Sequence, residues 1–235
     1  MLCYMTRLWV LTIAAFMLGG GMAGRITALE PQKHSKERFN VYLDGEFAFG
    51  LADIEAVRLH VGDWLSDEEI HTLQDADLLE RARESALNFL SYRPRSEAEL
   101  RRHLRDHAFA DQIVEDLLER LKEVGLVDDR AFASFWVENR TQFRPRGCRA
   151  LVQELRQKGV PSAVIEDALV GYDEAAAAEK VAREQALRLA HLPREQANRR
   201  LSDRLARRGF SYDLIRDILT SYTSSYSTLE ESEED

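Results

Sequence analysis

"LRQKGVPSAVIEDAL", from Leu155 to Leu169, has two near-copies in the same chain. "LRDHAFADQIVEDLL" runs from Leu104 to Leu118, and "LARRGFSYDLIRDIL" from Leu205 to Leu219. One helical turn before each stands another leucine, Leu100, Leu151 or Leu201, on the same face. Further on come Ile113-Val114, Val164-Ile165 and Leu214-Ile215, then Leu117-Leu118, Ala168-Leu169 and Ile218-Leu219. Apolar phase, loop length and helix stop agree in all three, which marks a tandem repeat. The wide stripe predicts helices packed on two partners each, with these residues as core.

The punctuation around the stretch is physical. Gly159 and Gly209 stand where a second helix must stop, a position that favours a left-handed backbone. Pro161 suits the first turn of a third helix, and Ser211 is a good N-cap at the matching place. "SEAE" at Ser96–Glu99 is a capping box. Working outward, helices are predicted at 77–91, 97–107 and 110–124, at 129–142, 147–158 and 161–171, and at 174–191, 195–208 and 211–222. Upstream, "FNVYLDGEFAFGL" (Phe39–Leu51) alternates apolar and polar around Asp44-Gly45, a two-stranded hairpin with a type I′ turn. Phe39, Val41 and Leu43 should share one face, as should Phe47, Phe49 and Leu51. A lone hairpin is marginal in water, so it should pack on a neighbour. "SDEE" at Ser66–Glu69 opens a short helix, and no strand signal follows Asp77.

The expected fold is therefore mainly α. Three tandem three-helix repeats in an elongated array, at 76–127, 128–172 and 173–222, follow a hairpin-containing segment at 25–75. An apolar leader (1–24) and an acidic tail (223–235), expected to be disordered, flank them. "LWVLTIAAFML" (Leu8–Leu18) with "GMAG" behind it resembles a signal peptide cleaved after Ala23, and it is short for a membrane span. The favoured alternative is an over-extended start, because the G-rich codons of Gly19–Gly21 stand before Met22 like a ribosome-binding site.

The net charge of −9 is unevenly spread over the 235 residues. Residues 25–81 carry 6 basic and 13 acidic side chains, whereas the repeats are slightly basic. Within the repeats the windows 93–107, 144–158 and 194–208 are +2, +4 and +4, while the third helices are acidic. Charge is thus sorted by helix, with one basic surface written three times. Such a surface suits a polyanion or a partner with a periodic acidic lining. The binding residues expected from this are Arg93, Arg95, Arg101, Arg102 and Arg105 in the first repeat. The second contributes Arg144, Arg146, Arg149, Arg156 and Lys158, and the third Arg199, Arg200, Arg204, Arg207 and Arg208. Lying off the leucine stripe, Arg149, Arg156, Lys158, Arg204, Arg207 and Arg208 should tolerate charge reversal without loss of fold.

Catalytic signatures are missing. No P-loop, dinucleotide fingerprint or nucleophile elbow appears, so no catalytic residue is named. His103 and His107 share a helix face, but Leu104 breaks the zinc-protease pattern and no third ligand is evident, so no metal is expected. Asp116, Asp167 and Asp217 recur with the fold and balance charge. Cys3 and Cys148 supply neither a disulfide framework nor metal-ligand spacing, which suits a reducing, cytoplasmic setting.

"LNFLSYRPRSEAELRRHL" (Leu87–Leu104), "GLVDDRAFASFWVENR" (Gly125–Arg140), "RGCRALVQELRQKGV" (Arg146–Val160) and "RLARRGFSYDLIRDIL" (Arg204–Leu219) together resemble the RecX family. "ITALEPQKHSKERFNVYLDGEFAF" is similar to the hairpin extension of its longer members. The resemblance covers about Arg25 to Tyr222, and the leader and acidic tail depart from it. It implies a non-enzymatic regulator of the RecA recombinase, binding in the groove of the RecA nucleoprotein filament and inhibiting strand exchange and ATP hydrolysis. Roles in homologous recombination, DNA repair and the SOS response follow from it. So do the absence of a cofactor or small-molecule substrate and a monomeric state. The rival reading is direct binding of single- or double-stranded DNA, since three-helix units with a basic helix also resemble helix-turn-helix modules.

Overall fold

A computed structural model of the chain describes residues 22–33 and 37–230, with residues 187 and 222–230 described by their backbone alone. The apolar leader before Met22 and residues 231–235 of the tail lie outside the described residues. The chain forms two compact units, Met1–Ser85 and Ala86–Asp235.

In the first unit the strands are β1 (Gly24–Pro31), β2 (Arg38–Leu43), β3 (Glu46–Ala52) and β4 (Trp64–Leu65), with a one-turn helix α1 (Asp53–Ala56). They form one antiparallel sheet in the order β3-β2-β1-β4. The predicted hairpin is its β2–β3 half, and β1 and β4 supply the neighbours that a marginal hairpin needs. Asp44 (φ 50°) and Gly45 (φ 89°) both adopt the left-handed turn backbone expected of Asp-Gly.

The sheet also corrects one predicted face. The register shifts between Val41 and Tyr42, so Val41 faces Phe49 while Tyr42 faces Phe47. That bulge turns Phe47 away from the core: it is 56% exposed and sits edge-on to Tyr42, whereas Phe49 and Leu51 are buried. The core joins Ile26, Val41, Leu51 and Leu65 to Ile70 of α2 (Asp67–Ser91).

Ser66 and Glu69 form the expected box at the start of α2. Two helices were expected here, yet the structure has one of 25 residues. Neither glycine nor proline interrupts the stretch. Asp77, buried on α2, accepts the Arg38 guanidinium at 2.9 Å and the Ala52 backbone N–H at 3.0 Å, fixing this helix to β2 and β3.

The second unit continues with α3 (Glu97–Asp106), α4 (Asp111–Glu123), α5 (Asp129–Phe143), α6 (Cys148–Gln157) and α7 (Ser162–Leu169). It ends with α8 (Glu174–Leu189), α9 (Arg194–Arg207) and α10 (Tyr212–Glu230), the last running past the predicted end at 222. The other boundaries fall within about two residues of those predicted, the usual uncertainty of helix ends. Leu100, Leu104, Leu151, Leu155, Leu201 and Leu205 are all buried, the second and third pairs each in the core cluster of their own repeat. The stripe on the third helices is narrower than read. Val114, Ile165 and Ile215 are buried, while Ile113, Val164 and Leu214 are only half-buried.

Gly159 (φ 78°) and Gly209 (φ 84°) take the left-handed stop as expected, and Ala108 (φ 61°) takes it in the first repeat. Pro161 stands at the N-cap of α7 rather than inside its first turn. Ser211 accepts the Leu214 N–H at 3.3 Å.

Candidate partner-binding site

The second helices α3, α6 and α9 carry the basic windows, and they are joined in series. At the first junction the Ser96 hydroxyl, at the N-cap of α3, donates to the carbonyl of Lys158, the C-cap of α6, at 2.5 Å. At the second, the N–H of Gly147, the N-cap of α6, donates to the carbonyl of Arg208, the C-cap of α9, at 2.9 Å. The positive end of one helix therefore meets the negative end of the next, a favourable alignment of their macrodipoles. Glycine is required at these stops for more than φ. A Cβ on Gly159 would lie 2.3 Å from that of Ala98, and one on Gly209 2.5 Å from that of Ala150.

The junctions take several of the predicted binding residues for themselves. Glu99 accepts both Arg93 guanidinium nitrogens, at 2.9 and 3.0 Å, and the Lys158 ammonium at 2.7 Å. Burial alone would raise the Glu99 carboxyl. The hydrogen bonds and charges of Arg93 and Lys158 outweigh it and hold the group at about 2. Arg95 lies 3.8 Å over the Phe89 ring and donates to the Phe89 carbonyl. Arg101 is clamped by Glu97 and Glu115, Arg105 pairs with Asp111, and Arg146 lies 3.4 Å from Glu154. Trp136 and Arg140 of α5 also hold Glu154, at 2.8 and 2.7 Å. The sequence suggested that Lys158, Arg204 and Arg208 tolerate charge reversal; all three are partly buried at the junctions, so reversal there is expected to disturb the fold.

Other predicted residues are exposed, with no ion pair among the described residues. These are Arg102 in the first repeat, Arg144, Arg149 and Arg156 in the second, and Arg199, Arg200 and Arg207 in the third. Arg194, which the sequence reading left out, is equally exposed at the start of α9, and its place in the same basic window was the available signal. Of the recurring acids, Asp167 pairs with Arg130 at 3.0 Å and Asp217 lies 3.9 Å from Arg216, whereas Asp116 accepts from the neutral Gln112 amide. His107 lies against the His103 carbonyl, and His103 stacks on Phe89 at 4.1 Å. Among the described residues no group of three His, Cys, Asp or Glu could hold a metal, and no helix is long and apolar enough to cross a membrane.

Comparisons with known proteins follow the same division. Residues 24–64 match the regulatory protein RecX N-terminal domain. Residues 82–121, 128–169 and 172–219 match the first, second and third three-helix domains of RecX. The chain is 32% identical over 196 residues to a regulatory protein RecX of Bacillus licheniformis, covering 81% of this chain and 74% of that one. A Limosilactobacillus reuteri regulatory protein RecX is 31% identical, with 82% and 76% covered. A crystal structure of a regulatory protein RecX superposes with a TM-score of 0.61 at 31% identity, covering 83% of this chain and 98% of that one. A RecX from Lactobacillus salivarius gives 0.55 at 26% identity, covering 62% and 97%. Four consecutive domain matches in the right order, on three helical units linked as described, establish that the chain belongs to the RecX family.

Proposed function

We propose that this chain is a non-enzymatic, cytoplasmic regulator that binds the RecA nucleoprotein filament and restrains its recombinase and ATPase activity in recombination and DNA repair. The single observation that carries the reading is the set of exposed arginines on α6, α9 and the loop before α6. They have no ion pair among the described residues, while comparable residues of the first repeat are neutralised. Exposed guanidinium forks are suited to carboxylates and phosphates on a partner that repeats along its length. The family's regulatory naming supports the same reading.

The test is RecA-dependent ATP hydrolysis on single-stranded DNA, titrated with the full chain. Suppression is expected at concentrations below that of RecA, because a filament-bound regulator acts on many subunits. Direct DNA binding is the second reading, since the same arginines suit backbone phosphates. It wins if suppression appears only at concentrations where the chain also captures the bare oligonucleotide.

A further inference from the structure

The two junctions are built alike but charged differently. Arg93, Arg95 and Lys158 at the first have their counterparts in Arg144, Arg146 and Arg208 at the second. The carboxylates are not kept. Glu99, three residues into α3, corresponds to Ala150 of α6, and Glu154, one turn before the α6 C-cap, corresponds to Arg204 of α9.

We propose that the arginines at the junction of α6 and α9 form a binding site for a carboxylate side chain of the protein partner, which takes here the part that Glu99 plays at the first junction. The proposal rests on the reading of this chain as a protein-binding regulator and names the chemistry of one contact.

The geometry gathers the groups. The Arg208 guanidinium lies 3.4 Å from the carbonyl of Pro145, between Arg144 and Arg146 in the chain. Arg204 stands one turn before Arg208, on the same side of α9. Its Nε is buried and has no hydrogen-bond partner among the described residues. That atom is closed to a ligand, but the residue as a whole is only half-buried, so its delocalised charge still adds to the field of Arg208 and Arg146 at the junction. Burial first, and then the charges of Arg204, Arg146 and Arg144, hold Arg208 below the usual arginine range, with Glu184 of α8 opposing them. Glu154 engages Arg146 and Glu184 lies near Arg208; neither supplies an acceptor to the Arg204 Nε. Phosphate is the other oxyanion that fits guanidinium forks. The carboxylate is favoured because the same framework, one repeat earlier, already holds one between Arg93 and Lys158.

The experiment measures fluorescence anisotropy of a labelled, acetylated hexaglutamate with the full chain at low salt, and of a thymidine oligonucleotide in parallel. No RecA is present, so failure of the filament reading leaves the peptide result standing, and the reverse also holds. Parent chain should bind hexaglutamate. Arg204→Gln and Arg144→Gln should each weaken it roughly tenfold, the loss of one charge-assisted contact. Arg204→Gln should melt no lower than the parent, since it removes a desolvated charge, and exposed Arg144→Gln checks the site without touching the core. Arg120→Gln on α4 should bind the peptide like the parent. The proposal is overturned if hexaglutamate does not bind, or if both variants bind it within about twofold of the parent. It is overturned equally if the oligonucleotide alone loses affinity in the two variants, which would make the site a phosphate site.

Discussion

Ala108 stands in a left-handed backbone (φ 61°) where the later repeats place Gly159 and Gly209. A Cβ in that conformation costs ~1–2 kcal/mol. Ala108→Gly is therefore expected to raise stability by about 1 kcal/mol, read as a higher melting temperature, despite the added freedom of the unfolded chain. The reverse change, Gly159→Ala, combines the same strain with a clash against Ala98, and should cost at least about 2 kcal/mol. Equal melting temperatures for that variant and the parent would contradict the junction geometry. Cys148 is a second residue with a legible environment. Burial, and then the neighbouring Glu174, push its thiol up to about 11, so almost no thiolate exists at neutral pH. Alkylation mapped by mass spectrometry should be slow at Cys148 until the chain is unfolded; rapid modification in the native state would refute the described packing.

Between elements, the first junction depends on Glu99. Its folded value of about 2 lies below its ordinary 4.5, so its contribution is fully present above about 4.5 and is lost as pH falls toward about 2. Glu99→Gln should cost about 2 kcal/mol at neutral pH, by weakening charge-assisted bonds to Arg93 and Lys158. It should also flatten the acid limb of the stability curve in that window. If parent and variant lose stability in parallel between these limits, Glu99 is not the titrating group. None of this pairing is visible in the sequence, because Lys158 comes from the following repeat. The elements themselves were legible where pattern and punctuation agreed: the repeats, their caps at Ser96 and Ser211, and the Asp44-Gly45 turn. The misses have physical reasons. β4 is two residues long, too short for any periodicity, and β1 carries Pro31 and has its edge covered only in the folded sheet. The exposed side of Phe47 depends on a bulge, which alternation alone does not reveal.

For the chain as a whole, the charge of −9 says less than where the unpaired cations stand. The sequence identified the basic helices correctly, but not which arginines stay available. The acids that neutralise Arg101 and Arg105 come from α4 and, for Arg101, also from Glu97 on its own helix, and the one that meets Arg146 lies along α6. Reversal of Arg199, Arg200 and Arg207 to Glu should weaken filament binding by at least about a hundredfold, through several lost charge-assisted contacts. Circular dichroism should be unchanged. The exposed control Glu166→Lys on α7 should bind like the parent. Parent-like affinity of the triple variant at moderate salt would leave these arginines as solvated surface.

The joints between second helices also explain where the series stops. Each joint needs a left-handed glycine at one helix end and a hydrogen-bond donor at the N-cap it meets. At one outer end Ala108 stands where the joints have glycine; at the other stands Pro193, which has neither a hydroxyl nor an N–H to donate. Neither outer end therefore carries the pair of groups that builds the two joints, a left-handed glycine on one side and an N-cap donor on the other, and the series closes at three helices for a reason written in single residues.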